Sequence, residues 1–293
     1  MKSKSGFLIT FLGVLFGTTL VVSRFSVGQF SPTIYIGLRL SIAGLGFMVV
    51  YTLKLGKRKW PTDKGLWGRG FILGVLGTAI PMTGIVSSMQ YLSSGLTSIL
   101  ITVNPAFTVL LAHFFLEDEP LTWRIGSGVL LALSGAGLLT LLGETGIPEV
   151  HQVNPIGYLL VVGAMLAGSA MTIYSRKYML EDNAFDVTGI RMIAGALIVM
   201  PLSLAFSEFD ISQVNAQGLV ALIYASIIGT FLGMLLSFYN IQQFGATAAV
   251  MTAYVVPVVA GLTGILLLGE QITWGMGAGI LLIGLGVWII NHK

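Results

Sequence analysis

Ten long apolar stretches, separated by short polar segments, follow one another along the whole chain. A helix that crosses the hydrocarbon core of a membrane needs about 20 mainly apolar residues, and each stretch has approximately that length. Backbone polar groups in lipid must bond one another, which an α-helix achieves within one segment. The pattern therefore predicts transmembrane helices at residues 7–27, 33–53, 68–90, 94–116, 124–142, 156–175, 187–206, 218–240, 246–268 and 274–291.

The composition supports an integral membrane protein and excludes most other classes. Charged residues make up 9% of the chain and hydrophobic residues 55%, whereas roughly 25% of an average soluble domain is charged. The absence of cysteine excludes disulfides and thiolate metal sites. No acidic residue lies inside a predicted span, where intramembrane catalysis would need one. We therefore expect a protein that is not an enzyme and has no metal, no cofactor and no nucleic-acid partner.

The positive charges predict the side of the membrane that each loop faces. With the amino terminus in the cytoplasm, 12 of the 15 Lys and Arg residues fall on the cytoplasmic side. These are Lys2, Lys4, Lys54, Lys57, Arg58, Lys59, Lys64, Arg69, Arg124, Arg176, Lys177 and Lys293. Only Arg24 falls in an opposite loop, so the positive-inside bias is clear. We expect a multi-pass protein of a bacterial inner membrane with both termini in the cytoplasm.

The two halves of the sequence resemble each other. Residues 119–128 read E-P-L-T-W-R-I-G-S-G and residues 270–279 read E-Q-I-T-W-G-M-G-A-G, a match at an offset of 151. Further matches at similar offsets join Arg39 with Arg191 and Pro105 with Pro257. A single match of this kind arises by chance, but an ordered series indicates an internal repeat.

The number of helices in each half predicts how the repeats are related. Residues 1–148 and residues 149–293 each contain five predicted spans. Because five is odd, the second half enters the membrane from the opposite side to the first. The sequence thus predicts an all-α integral membrane fold of ten transmembrane helices in two inverted five-helix repeats, an arrangement typical of secondary transporters.

This organisation resembles the drug/metabolite transporter superfamily, in its EamA-type branch. The resemblance extends to a proline in helices 4 and 9, followed 13 or 14 residues later by a glutamate and then by a Gly-rich last helix. Those residues are Pro105 with Glu119 and Pro257 with Glu270. The resemblance covers essentially the whole chain. It implies export or exchange of small metabolites, and some similar members export aromatic amino acids.

Polar residues that recur within the spans of both halves are the candidate substrate-binding residues. Such side chains avoid lipid and face partners or a cavity, although hydroxyl groups also bond their own helix backbone. The candidates are Thr18, Ser169, Thr78, Thr230, Thr102, Tyr254 and Asn104. Prolines that free a helical carbonyl are expected at hinges or gates, and these are Pro81, Pro105 and Pro257. Helices 3, 4, 8 and 9 are the expected cavity wall.

Four charged residues have both a functional and a structural interpretation. Arg39 and Arg191 lie inside helices 2 and 7 and would suit a carboxylate ligand, but their matched positions favour a structural role. Glu119 and Glu270 precede helices 5 and 10, where a helix dipole favours an acidic residue, and we expect both to be structural. The repeated G-x-x-x-G pairs predict close helix packing within the monomer rather than dimerisation.

These features predict a transporter that works by alternating access. A cavity of hydroxyl groups, an amide and aromatic rings would suit an amino acid with an apolar or aromatic side chain. The expected partners are this small-molecule substrate and the lipid bilayer, with the protein functional as a monomer. A multidrug or organic-cation exporter is the main alternative, although it requires an acidic or aromatic cage. A receptor or channel is less consistent with inverted repeats.

Overall fold

The computed structural model describes residues 2–115, 121–147, 154–207, 209–250 and 252–291, and within them it forms ten apolar helical spans. The first five are α1 (Lys2–Arg24), α2 (Pro32–Thr52), α3 (Lys64–Ser88), α4 (Ser94–Phe115) and α5 (Trp123–Leu142). The second five are α6 (Pro155–Tyr178), α7 (Ala184–Phe206), α8 (Ala216–Tyr224, Ala225–Leu232 and Gly233–Val250), α9 (Thr252–Leu268) and α10 (Trp274–Asn291).

The prediction of an all-helical membrane protein is confirmed. Helices α1 to α8 are long and apolar enough to cross a membrane, and α9 and α10 are somewhat shorter apolar helices. Within the described residues, the only β-type pairing is an isolated bridge between Val27 and Phe30. Large apolar side chains cover the outer surface, as contact with lipid requires. Strongly exposed examples are Leu130, Leu141, Leu159, Leu197, Leu266 and Leu281.

Short polar residues determine where many of the helices begin. The side chain of Asp63 accepts hydrogen bonds from the backbone N–H groups of Gly65 and Leu66 at the start of α3. Ser31, Ser93, Thr122, Asn154, Asn183 and Asn215 act in the same way at the starts of other helices. These side chains satisfy N–H groups that have no partner inside the helix.

Several helix ends differ from the sequence prediction by a few residues, and two of these differences bring polar residues into a helix. Helix α8 continues to Val250, although the polar residues after 240 predicted a loop there. Gln242 lies in this extension and donates hydrogen bonds to the backbone oxygens of Leu180 and Asp182, between α6 and α7. Helix α7 begins at Ala184, so that Asp186 belongs to its first turn. Its carboxylate accepts a hydrogen bond of 2.9 Å from the hydroxyl group of Tyr51.

Helices from the two halves pack against each other in matching pairs. Helix α2 packs on its counterpart α7, and α5 packs on its counterpart α10. Helix α1 packs on α9, and their counterparts in the other half, α6 and α4, also pack on each other. Helix α3 packs on α7, as α8 does on α2. The two halves therefore share one core and enclose the space between them jointly.

Glycine residues bring these helices into close contact, and the packing expected of the G-x-x-x-G pairs within one chain is confirmed. A Cβ atom at Gly74 of α3 would lie 2.6 Å from the backbone oxygen of Arg191 of α7. A Cβ atom at Gly17 would lie 2.7 Å from the side chain of Val259, between α1 and α9. Each contact joins helices of the same chain, and each requires a residue without a side chain.

Helices α3 and α8 each contain a π-helical segment near the middle of the span, at Val75–Ala79 and Ala225–Leu232. These segments occupy matching positions in the two halves. The hydroxyl group of Thr78 donates to the backbone oxygen of Leu73, and that of Thr230 donates to the oxygen of Ala225. Widened turns of this kind are frequent at functional sites.

The prolines of helices 4 and 9 behave differently. Helix α4 is interrupted by a turn at Thr102 and Val103, immediately before Pro105, so the expected break is present. Pro257 lies inside the uninterrupted helix Thr252–Leu268, and the break expected at this residue is therefore absent. The helix begins only five residues before Pro257, so the proline disturbs a single early turn.

Candidate functional site

A cavity of about 260 Å³ lies between the two halves of the protein. We call it the central cavity. Helices α1, α2, α3 and α4 of the first half and α6, α7, α8 and α9 of the second half all contribute to its wall. Its polar lining residues are Thr19, Ser23, Arg39, Asn104, Thr172, Ser175, Arg191 and Ser237. The central cavity therefore belongs to neither half alone.

The remaining wall of the central cavity is apolar and adaptable. Two aromatic rings, Phe16 and Phe238, face it together with leucine, isoleucine and valine side chains. Four methionines also line it, namely Met82, Met165, Met171 and Met234. Methionine is flexible and polarizable and can fit ligands of different shapes. The wall can thus accept the apolar part of a small organic molecule.

Arg39 of α2 reaches across to the second half of the protein. Its Nε donates a hydrogen bond of 2.5 Å to the hydroxyl group of Thr230, which lies in the π-helical segment of α8. Its Nη1 lies 3.3 Å from the hydroxyl group of Ser23 on α1. The side chain is buried, with 6% of the residue surface exposed. A single guanidinium group therefore connects three helices and borders the central cavity.

Arg191 of α7, in the second half, makes the equivalent contact with the first half. Its Nε donates a hydrogen bond of 2.8 Å to the hydroxyl group of Thr78 on α3, and its Nη2 donates one of 3.1 Å to the backbone oxygen of Gly77. Gly77 lies in the π-helical segment of α3, four residues before Pro81, and borders the central cavity. Arg191 therefore bonds both a side chain and the backbone of this segment.

Among the described residues of the cavity wall, no carboxylate accompanies the two arginines. None of the residues that line the central cavity is Asp or Glu. In the part of the chain that the structure describes, ion pairs connect Arg69 with Asp63 and Asp182, far along the helices from this cavity. Buried charge without a counterion is costly. The described lining of the central cavity contains two positively charged side chains and no carboxylate.

The structure brings only part of the predicted substrate-binding set to the central cavity. Asn104 and the predicted hinge Pro81 line it. Ser169 lies directly behind Asn104, because its hydroxyl group donates hydrogen bonds to the side-chain and backbone oxygens of Asn104 at 2.6 and 3.2 Å. Thr78 and Thr230 accept hydrogen bonds from the two arginines, for which the sequence favours a structural role over carboxylate binding.

The other predicted candidates do not border the central cavity. The hydroxyl group of Thr18 lies 2.9 Å from that of Tyr224 on α8. The hydroxyl group of Thr102 donates to the backbone oxygen of Ile99 in its own helix. This is the alternative role of a hydroxyl group within a membrane span. Tyr254 is half-buried and packs against the core that contains Leu96 and Ile99. These three side chains stabilise the wall rather than face the cavity.

Sequence reasoning missed several polar lining residues, and the internal repeat contained a signal for some of them. Ser23 and Ser175 both line the cavity and are separated by the same 152 residues as Arg39 and Arg191. Met82 and Met234 have the same separation and also line it. A search for every residue identity repeated at this offset would have identified these pairs.

Glu270 is structural, but it stabilises a different helix from the one expected. Its two carboxylate oxygens accept hydrogen bonds from the backbone N–H groups of Ser94 and Gly95, at 2.7 and 2.9 Å. The Ser94 hydroxyl group donates to the same carboxylate. Glu270 therefore covers the start of α4, whereas α10 begins at the N-cap Thr273. Glu119 lies outside the described residues.

Replacing Glu270 by Gln should lower the stability of the protein without changing its fold. In the wild type, the backbone N–H groups of Ser94 and Gly95 share the Glu270 carboxylate. In the variant, the amide NH₂ group would face one of these donors, and an unsatisfied buried donor costs about 1–3 kcal/mol. Thermal unfolding of the purified protein in detergent should show a melting temperature several degrees below the wild type. The exposed Glu181 is the matched control, and E181Q should unfold like the wild type. Equal melting temperatures for E270Q and E181Q would contradict this role.

The ten-helix fold and the cavity shared by its two halves are those of a membrane transport protein. The sequence pattern of the EamA-like transporter family matches this chain twice, over residues 4–141 and 155–292. The chain belongs to the EamA-like transporter family. The two matches divide the chain at nearly the same point as the internal repeat.

Named relatives agree with this classification. An uncharacterized transporter of Archaeoglobus fulgidus is 28% identical over 97% of this chain and 96% of its own length. The uncharacterized inner membrane transporter YedA of Escherichia coli K12 is 25% identical over 96% of this chain and 91% of its own length. A solved crystal structure with 19% sequence identity superposes with a TM-score of 0.70 over 99% of this chain and 98% of its own, which shows a shared fold.

Proposed function

We propose that this multi-pass membrane transporter moves small organic metabolites through the central cavity, among them amino acids with apolar or aromatic side chains. The observation that carries the proposal is the shared wall of the cavity, to which eight helices from both halves contribute. A cavity between two halves can open to one side and then to the other when the halves tilt against each other. This geometry supports export or exchange by alternating access.

The inverted relation of the repeats is part of the same proposal. Residues 1–148 and 149–293 would then exchange conformations around the central cavity. Two contacts of similar chemistry support this arrangement: Arg39 bonds Thr230, and Arg191 bonds Thr78. Each contact joins one half to the other near a π-helical segment, where a helix bends with little loss of bonding. We propose a bacterial inner membrane with both termini cytoplasmic, in agreement with the distribution of Lys and Arg.

Counterflow in proteoliposomes tests the proposed function. Vesicles that contain the purified protein are preloaded with one unlabelled amino acid at millimolar concentration and diluted into a trace of the same labelled compound. We expect a transient accumulation of label for phenylalanine, tyrosine, tryptophan or leucine, and none for lysine or glutamate. Empty vesicles are the control. Failure of every apolar and aromatic amino acid to give counterflow would contradict this assignment.

A further inference from the structure

The central cavity contains two positive charges and none of the groups that would neutralise them. Arg39 and Arg191 are buried, with 6% and 8% of their surfaces exposed, and both line the same space. No Asp or Glu contributes to the described lining. The energetic cost of burying a charge falls when a ligand supplies the opposite charge. The cavity is therefore better suited to an occupant with negative charge than to the empty state.

The two guanidinium groups also retain hydrogen-bond donors for a ligand. Each guanidinium has five N–H donors. Among the described residues, Arg39 uses Nε and Nη1, and Arg191 uses Nε and Nη2, in one hydrogen bond each. These bonds fix the planes of the two groups and leave further donors beside the cavity. The planar guanidinium matches the two oxygens of a carboxylate better than any other protein cation does.

A positively charged group would find little support in the same cavity. The hydroxyl groups of Thr19, Thr172 and Ser175 already donate to backbone oxygens of their own helices. The side-chain oxygen of Asn104 accepts from Ser169. An ammonium group would have to share these neutral oxygens and would be repelled by two arginines. The carboxylate of an amino acid therefore has cationic partners in this cavity, whereas its ammonium group has only neutral oxygen acceptors.

We infer that the central cavity selects organic anions: the positive charges of Arg39 and Arg191 in its wall attract the carboxylate, and an apolar body without an ammonium group occupies the methionine-lined wall. The inference rests on the proposed function, since it names the substrate class of the same cavity. It ranks a carboxylic acid with an apolar body above the amino acid of the same size. It also predicts that the corresponding amine does not bind. Such an amine is the kind of substrate expected of an organic-cation exporter.

Three ligands with the same phenyl-ethyl body test the inference in the wild-type protein. They are 3-phenylpropionate, phenylalanine and phenethylamine, which carry a carboxylate, both charged groups and an ammonium group. Binding is measured by titration calorimetry on the purified protein in detergent at pH 7.5 and low salt. We expect 3-phenylpropionate to bind about ten-fold more tightly than phenylalanine, and phenethylamine not to bind at the same concentrations. Tighter binding of phenylalanine or phenethylamine than of 3-phenylpropionate overturns the inference.

Arginine variants assign the effect to the cavity. Both R39Q and R191Q should weaken binding of 3-phenylpropionate ten-fold or more, whereas R124Q, at an exposed position of α5, should bind like the wild type. R39K keeps the charge without the planar fork and should fall between the wild type and R39Q. If R39Q does not fold, R39K alone decides, and wild-type affinity in this variant contradicts the inference. T230V removes the protein partner of Arg39, and losses equal to those of R39Q would mean that Arg39 is only structural.

Counterflow separates this inference from the proposed function. If 3-phenylpropionate binds but neither it nor phenylalanine is exchanged, the transport proposal fails and the anion site remains. If phenylalanine is exchanged while 3-phenylpropionate neither binds nor inhibits that exchange, the transport proposal remains and the anion site is wrong. We expect 3-phenylpropionate to inhibit phenylalanine counterflow and phenethylamine to have no effect.

Discussion

Replacing Gly168 by Leu is expected to abolish transport while the protein remains folded. Gly168 of α6 lines the central cavity, and a Cβ atom added there would meet no other atom within 4 Å. The Cβ atom would therefore enter open space, and the rest of the isobutyl group would occupy part of a cavity of about 260 Å³. Leucine also favours a helix over glycine by about 0.8 kcal/mol. Counterflow should fall at least 100-fold, with a melting temperature no lower than that of the wild type.

The matched control is the same substitution at Gly137. This residue lies on the exposed face of α5, and a Cβ atom there would also meet no atom within 4 Å. G137L should transport at the wild-type rate, because the added side chain points away from the cavity. Wild-type transport by G168L would mean that the substrate does not pass through the central cavity.

Replacing Gly286 by Leu is expected to prevent the protein from reaching its folded state. Gly286 lies where α10 contacts α5, and its Cβ atom would lie 2.5 Å from the backbone nitrogen of Ala132 and 2.5 Å from the backbone oxygen of Gly128. Both atoms belong to a helix backbone, so neither can move without separating α5 from α10. We expect a loss of more than about 4 kcal/mol, in the range of the most damaging substitutions. Size-exclusion chromatography after detergent extraction should show aggregated protein.

Gly284, two residues earlier on the same helix, provides the control for this packing. A Cβ atom at Gly284 would meet no atom within 4 Å. G284L should therefore elute and unfold like the wild type, although it makes the same Gly-to-Leu change in the same helix as G286L. If G284L and G286L are equally stable, the close contact of α5 with α10 is not required for folding.

The helices could be predicted because their signal is local. Each apolar stretch is long enough to span a membrane, and the short polar residues between stretches act as N-caps. The end of α8 was missed because Gln242 and Gln243 are typical of a loop by composition. In the structure Gln242 satisfies backbone oxygens between α6 and α7, a contact 60 residues away in sequence that no local pattern contains.

The candidate site could be predicted only in part, because it depends on which helices meet. The repeat identified Arg39, Arg191, Thr78 and Thr230 as matched positions. It could not show that each arginine bonds the threonine of the opposite half. The matched positions of the arginines favour a structural role over carboxylate binding, because a single helix offers no sign of a shared cavity. Once the halves pack together, the same guanidinium groups both connect helices and border the cavity.

Pro81 and Pro257 show the same limit at the level of the backbone. A proline frees a carbonyl wherever it lies in a helix, but the sequence does not reveal what that oxygen will meet. The backbone oxygen of Gly77, four residues before Pro81, accepts a hydrogen bond from Arg191, and both Gly77 and Pro81 line the cavity. Pro257 lies in a helix that continues without a break. Identical residues thus have different consequences because their neighbours differ.

Alternating access of the central cavity is tested most directly by the reactivity of one cysteine within it. The chain has no native cysteine, so S237C on α8 introduces a single thiol that faces the cavity. A membrane-impermeant thiol reagent is applied to sealed vesicles of each orientation, with S134C on the exposed face of α5 as the unreactive control. We expect modification of S237C from both sides of the membrane, slowed by a saturating substrate. Modification from one side only, at a rate that no substrate changes, would contradict the account.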